Sequence, residues 1–257
     1  MPEFRTAEDA RAHFPRGLVQ PEGGFRFSAD ALLLACFAGP GAARRIADLG
    51  AGCGVVGFGL LLRDEAATAT VTAVDINPDM LAAQRDNVKL LGFGERFEAV
   101  EADVSAIGAS GLAAQSFDLV VCNPPYRETG TGRRPADAGR DAARFEVRAQ
   151  VGDFVAAAAR LVRNRGRVCF IGLPERLPEL FADFRAARLA PKRLRMVHSR
   201  IGEPARLALV EGMLGASAGL IVEPPLVLYE GTGNESCLCA DALAFCPFMA
   251  CNAGRRG

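Results

Sequence analysis

The stretch RIADLGAGCGVVGFGLLL, residues 45–62, decides the fold. It begins as a short apolar strand over 45–50. It then passes through Asp48-Leu49-Gly50-Ala51-Gly52-Cys53-Gly54 and continues from Val55 as an apolar helical run to about residue 63. Glycines between a strand and a helix let the backbone approach a ligand closely, and the helix N-terminus offers it free N–H groups. The spacing is not the nicotinamide-type G-x-G-x-x-G, because position 55 is Val55. An acid inside the strand end, Asp48, is also foreign to that fingerprint.

Outward from this turn, strands and helices alternate. TVTAVDI, residues 70–76, reads as a second strand. Asn77 caps and Pro78 opens a helix that runs to about Leu91, where Gly92 stops it. Further strands are expected over 97–101, 117–122 and 166–173, with helices over 149–163 and from Pro174 to about Arg188. Strands near 193–198 and 206–211 have no helical segment between them, which predicts an antiparallel edge hairpin. The pattern is that of an α/β protein: a mostly parallel seven-stranded sheet with helices on both faces. Residues 1–40 read as an N-terminal cap, 41–230 as the main domain and 231–257 as a peripheral cysteine-rich tail. Residues 127–141, rich in Gly, Arg and Pro, read as a long loop, and long loops are often functional.

The 257 residues, half of them hydrophobic, suit one large domain. Formal net charge is zero, so no global basic field advertises nucleic acid. Only Lys89 and Lys192 are lysines, so positive charge rests on arginine, whose planar fork grips phosphates. No apolar run reaches the roughly 18 residues of a membrane helix, and the N-terminus lacks the order of a signal peptide. The expectation is a cytoplasmic protein, monomer or homodimer, with no membrane partner. Cys36, Cys53, Cys122 and Cys169 sit in apolar segments as buried residues do. Cys237, Cys239, Cys246 and Cys251 crowd the tail, where burial, a disulfide or metal ligation all remain open. The C-x-C start departs from the usual C-x-x-C knuckle. His13 and His198 read as surface or packing residues.

Two further acids close strands. Asp75 ends the second strand about 20 residues beyond the turn, where a carboxylate holds ribose hydroxyls. Asp103 follows the third strand and suits an exocyclic amine of an adenine ring. This set of acids around D-x-G-x-G-x-G resembles the class I S-adenosylmethionine-dependent methyltransferases over roughly residues 44–212. The resemblance implies S-adenosylmethionine as cofactor, held by Asp48, Gly50, Gly52, Gly54, Asp75 and Asp103.

The fourth strand, FDLVVC, stops at Asn123-Pro124-Pro125-Tyr126. A methyl group on positive sulfur is already activated, so the acceptor has to be prepared. An amine on an aromatic ring, or an amide, is a poor nucleophile because its lone pair is delocalised. The Asn123 side-chain oxygen and the Pro124 carbonyl suit its two N–H bonds and favour localising the lone pair toward the methyl. The prolines fix φ and remove competing donors. Tyr126 supplies a stacking face. The motif resembles that of methyltransferases acting on planar nitrogen: adenine N6, cytosine N4 or glutamine amide.

Gln20-Pro21-Glu22-Gly23-Gly24-Phe25-Arg26-Phe27-Ser28-Ala29-Asp30 and the apolar run to Ala35 resemble the N-terminal segment of the bacterial tRNA1(Val) adenine-37 N6-methyltransferase family. So do the loop bearing Gly130, Gly132, Arg133 and Pro135, the hairpin over 191–213 and the closing strand over 223–230. The likeness covers about residues 18–230. It implies methylation of the N6 amine of a tRNA adenine, at position 37 of the anticodon loop. It also implies that Phe27, Ser28 and Asp30 line the mouth of the site; the alternative for these three is helix cap and core. Arg127, Arg133, Arg134, Arg140 and Arg144 then follow RNA phosphates around a flipped base. The family's A-R-H-E is here Ala143-Arg144-Phe145-Glu146, which removes a titrating group. Glutamine methylation of a protein such as a release factor, and DNA adenine methylation, are the alternatives.

Overall fold

The strand Arg45–Leu49 (β1) lies in the middle of the sheet. It pairs in parallel with Thr70–Asp75 (β2) on one side and Phe117–Cys122 (β4) on the other. A strand covered on both faces must be apolar on both, and residues 46–49 are all buried. Phe97–Glu101 (β3) extends the parallel array beyond β2, and Val162–Gly172 (β5) extends it beyond β4. The computed structural model describes residues 4–21, 26–64, 67–125 and 150–252.

Leu189–His198 (β6) and Ala205–Leu214 (β7) form the expected antiparallel hairpin, with β7 inserted between β5 and β6. The seven long strands are joined by Ile221–Val222 (β8), which sequence reading misses, and by Leu226–Val227 (β9), which lies within the closing strand expected over 223–230; both pair in parallel with β6. The described sheet therefore has nine strands, and β6 is not its bare edge. Tyr229–Glu230 (β10) and Cys237–Leu238 (β11) form a separate ribbon.

Helices Ala7–Ala12 (α1), Ala29–Ala38 (α2), Val55–Leu62 (α3) and Pro78–Leu91 (α4) precede β4, and Val151–Leu161 (α5) and Leu177–Ala186 (α6) follow it. The ends of α4 are set as its sequence dictates. The Asn77 side chain accepts from Asp79 N, and Gly92 terminates the helix in the left-handed region at φ 66°. One hydrophobic cluster gathers α2 and α3 on one face of the sheet; the other gathers α5 and α6 on the opposite face. A buried carboxylate ties the first layer down. Glu211 of β7 is bridged by Arg167 and Arg193, each at 3.1 Å, and Arg167 also donates to the carbonyls of Ala38, Gly39 and Pro40 where α2 ends.

The C-terminal segment, expected at the periphery, packs instead into the first cluster. Ala240–Phe245 (α7) and the 3-10 turn Pro247–Asn252 bury Ala242, Cys246 and Met249, and Phe248 meets Phe14 edge-on at 5.0 Å between centroids. These apolar side chains cover α2 and the N-terminal segment, which the sheet leaves uncovered. Cys237 is exposed, Cys239 and Cys251 are half-buried, and all four tail thiols are free. Among the described residues no group of three or more His, Cys, Asp or Glu side chains stands close enough to hold a metal ion. No described helix is long and apolar enough to cross a membrane. Ending the chain at Ser236 is expected to cost about 5 kcal/mol of stability, read as a Tm lower by about 10–20 °C.

Candidate active site

Register brings the site together. Leu49 of β1 stands beside Val74 of β2 and Cys122 of β4, so the next residues, Gly50, Asp75 and Asn123, leave the sheet at one level. Asp75 in turn pairs with Glu101 of β3, two residues before Asp103. From β1 the chain moves outward to β2 and β3, then returns to β4 on the other flank of β1. Such a reversal opens a crevice beyond the carboxyl ends of the strands, where ligands bind in open α/β sheets.

The three glycines of the turn have three different reasons. Each has positive φ: 67° at Gly50, 55° at Gly52 and 88° at Gly54. A Cβ on Gly50 would stand 2.9 Å from the Phe154 ring, and one on Gly54 would stand 2.8 Å from Phe58 and 2.9 Å from Phe97. Those two positions are closed by packing. A Cβ on Gly52 would meet nothing within 4 Å, so this glycine faces open space.

The carboxylates are held in distinct ways. Half-buried Asp75 accepts from Gly52 N at 2.7 Å through one oxygen and from Asn77 N at 2.9 Å through the other. It thereby fixes the glycine turn to the end of β2. Burial raises its carboxyl pKa against the pull of those N–H groups. Asp103 caps the 3-10 turn Val104–Ala109, with one oxygen accepting from both Ser105 N and Ser105 Oγ. Asp48 is 1% exposed and accepts from Gly57 N at 2.9 Å, joining β1 to the first turns of α3. Burial pushes its carboxyl up to about 7, helped by the charge of Asp75. Burial likewise pushes the Cys53 thiol up to about 12 and Cys122 well above its ordinary value, so neither is a thiolate near neutral pH.

Asn123 is half-buried and Pro124 buried, directly beyond β4. Ser28 is the N-cap of α2, its hydroxyl accepting from Asp30 N, and Phe27 packs against the first cluster. Tyr126 and the arginines 127, 133, 134, 140 and 144 lie outside the described residues. Three residues near the turn escape sequence reading. Ile76, 41% exposed directly after Asp75, is an apolar side chain at the crevice. Gln84 and Asn87 of α4 are wholly buried. Their signal is a three-residue spacing that puts both on one helix face.

The sequence pattern of the methyltransferase small domain matches residues 28–138. A curated tRNA1(Val) (adenine(37)-N6)-methyltransferase of Cronobacter sakazakii is 31% identical over 153 residues, covering 60% of this chain and 60% of that relative. The chain therefore spans less than two thirds of that relative's length. A crystal structure from Agrobacterium tumefaciens, described as a predicted O-methyltransferase, is 26% identical with a TM-score of 0.69 over 85% of this chain and 96% of that one. Geranyl diphosphate methyltransferase in complex with SAM shares the fold alone, at 12% identity and a TM-score of 0.52 over 72% of this chain and 84% of that one. Fold, glycine turn and these likenesses give the chain the architecture of the class I S-adenosylmethionine-dependent methyltransferases. Within that class the likeness to the methyltransferase small domain lies over residues 28–138, less than half of the chain.

The residues present fit that cofactor. The open face of Gly52 leaves room against the backbone. Asp75 keeps acceptor capacity for hydroxyls beside it. Gln84 donates to Gly52 O at 2.7 Å, while its own buried Oε1 has no hydrogen-bond partner among the described residues, an acceptor beside the turn.

Gly52→Ala is expected to cost only about 1 kcal/mol of stability, the strain of its φ, yet to weaken S-adenosylhomocysteine binding in a calorimetric titration. Gly54→Ala, which collides with two rings, is expected to lower Tm far more. Asp48 gives a pH signature. An unfolded aspartate loses its proton near 4, whereas folded Asp48 holds it to about 7. The native state binds more protons across that window, so stability falls as pH rises through it. Asp48→Asn keeps an acceptor for Gly57 N and removes the titration. Its stability relative to the wild-type protein is expected to improve as pH rises from about 4 to about 7, by on the order of 1–4 kcal/mol, read as a relative gain in Tm. Equal pH dependence in both proteins would clear Asp48 of this role.

Proposed function

We propose that this protein transfers a methyl group to the N6 amine of an adenine in tRNA, at position 37 of the anticodon loop. The observation that carries the reading is the placement of Asn123-Pro124-Pro125 at the carboxyl end of β4, level with Gly50 and Asp75. The named activity of the Cronobacter sakazakii relative supports adenine N6 and tRNA.

When bound, the cofactor supplies a methyl group on positive sulfur. In this reading Asp75 holds its ribose and Asp103 its adenine. The Asn123 side-chain oxygen and the Pro124 carbonyl accept the two N–H bonds of the target amine. That fixes the plane of the base and favours a lone pair directed at the methyl. The same two acceptors stabilise the positive charge that grows on nitrogen, which is electrostatic preorganisation and needs no strong base. Ile76 offers an apolar face to a ring. The arginine-rich segment after Tyr126 supplies phosphate contacts, and unpaired loop bases are the usual targets of specific RNA reading.

The test is methyl transfer from labelled S-adenosylmethionine to tRNA lacking its own modification, followed by nucleoside mass analysis. N6-methyladenosine mapped to position 37 is the expected product. Label on a release-factor glutamine, or on duplex DNA, with none on tRNA would replace the reading. Asn123→Ala is expected to lower turnover by roughly 10²–10³-fold while S-adenosylhomocysteine still binds. Loss of that binding would place Asn123 in the cofactor site instead.

A further inference from the structure

We infer that Asn87 is a positioning residue that joins the two walls of the cofactor site, so that binding at the glycine turn and placement of the N-terminal segment are one event. The Asn87 side chain is wholly buried in α4. Its Oδ1 accepts from Val19 N at 2.7 Å. Its Nδ2 donates to Val19 O and to Cys53 O, each at 3.1 Å. One amide thus grips a segment 68 residues away and a turn 34 residues away. Both its donor hydrogens are committed, and replacing either function leaves a buried backbone group unpaired.

The two gripped points matter. Cys53 lies between Gly52, whose N–H is fixed by Asp75, and Gly54, the N-cap of α3. Val19 precedes Gln20, whose side chain accepts from Phe27 N at 3.3 Å, and Phe27 leads into the Ser28 cap of α2. One turn earlier on the same face of α4, Gln84 holds Gly52 O. Gln84 therefore acts within the turn alone, while Asn87 is the bridge between turn and segment. A rigid helix carrying both amides transmits any displacement of the turn to residues 19–20. The inference rests on cofactor binding at the glycine turn, not on which acceptor is methylated. A tRNA assay without product leaves it standing.

A structural brace would raise stability without touching affinity, so the test separates the two. In the wild-type protein, saturating S-adenosylhomocysteine is expected to slow hydrogen exchange at the Val19 amide. It is expected to leave the Ala69 amide unaltered, which is held by the Asp64 side chain before β2 begins. Asn87→Asp, which sets an oxygen against two carbonyls, is expected to weaken S-adenosylhomocysteine binding by about tenfold and to abolish the ligand-dependent protection. Asp64→Ala, which breaks the ion pair with Arg96 away from the site, serves as the destabilised control with unaltered affinity. Unaltered Val19 exchange in the wild-type protein on ligand addition would overturn the coupling, and that arm needs no variant to fold. A variant with lowered Tm and wild-type affinity would reduce Asn87 to a brace.

Discussion

One hydrogen bond sets the terms for the rest of the molecule: Asp75 Oδ2 to Gly52 N, 2.7 Å. A turn of three left-handed glycines has many conformations open to it, and its loss of entropy on ordering is large. Something outside the turn has to fix it. The carboxylate does so from the end of the neighbouring strand, and Ala51 N adds a bond to Val74 O at 3.0 Å. From this fixed turn α3 starts. It lies against the sheet closely enough that Gly57, whose N–H meets buried Asp48, has no room for a side chain beside Val71 and Phe97. The ligand face and the packing face of one turn are therefore determined together, and Gly52 alone is left facing outward.

The sheet is asymmetric for a related reason. Its parallel half, β3 to β5, is covered by helices on both faces and carries the site at its carboxyl ends. Its antiparallel end carries the charge network. Glu211 is buried with two arginines around it, and a buried carboxylate is tolerable only with such partners. Because Arg167 also binds three carbonyls at the end of α2, the network fixes the helix whose other end begins at Ser28. Charge at one edge of the sheet thus helps hold an apolar helix of the first layer.

What the sequence makes legible follows the same physics. Strands buried on both faces have to be apolar runs, and Asn77-Pro78 and Gly92 mark a helix whose ends obey local rules, so β1 to β5 and α4 are readable. The strand-end acids are readable because their spacing from the glycine turn is fixed by strand length. The two-residue strand β8 is not, since two residues carry no period, and β9 is reached only through the family likeness of residues 223–230. The apolar stretches of the tail allow its burial to be expected, but not where it packs, because its partners Phe14 and Cys36 lie more than 200 residues away in the chain. Gln84 and Asn87 look like the solvent side of an amphipathic helix. Only the backbone carbonyls of a turn elsewhere in the chain give them a reason to be inside.

The same geometry bears on the kind of acceptor. A hydroxyl must lose its proton as it is methylated, which requires a base at the site. Among the described residues the crevice offers none that is well suited. Asp48 is wholly enclosed and engaged with α3, Asp75 is engaged with the turn, Asp103 caps the 3-10 turn through Ser105, and the nearby thiols keep their protons. His198 ends β6, separated from β4 by β5 and β7, and His13 lies just past α1. An amine on a planar ring makes no such demand before transfer. It needs two acceptors in fixed positions, and its proton becomes acidic only after the methyl has arrived. In the proposed reading an asparagine side chain and a proline carbonyl at the end of a buried strand meet that need, and neither titrates.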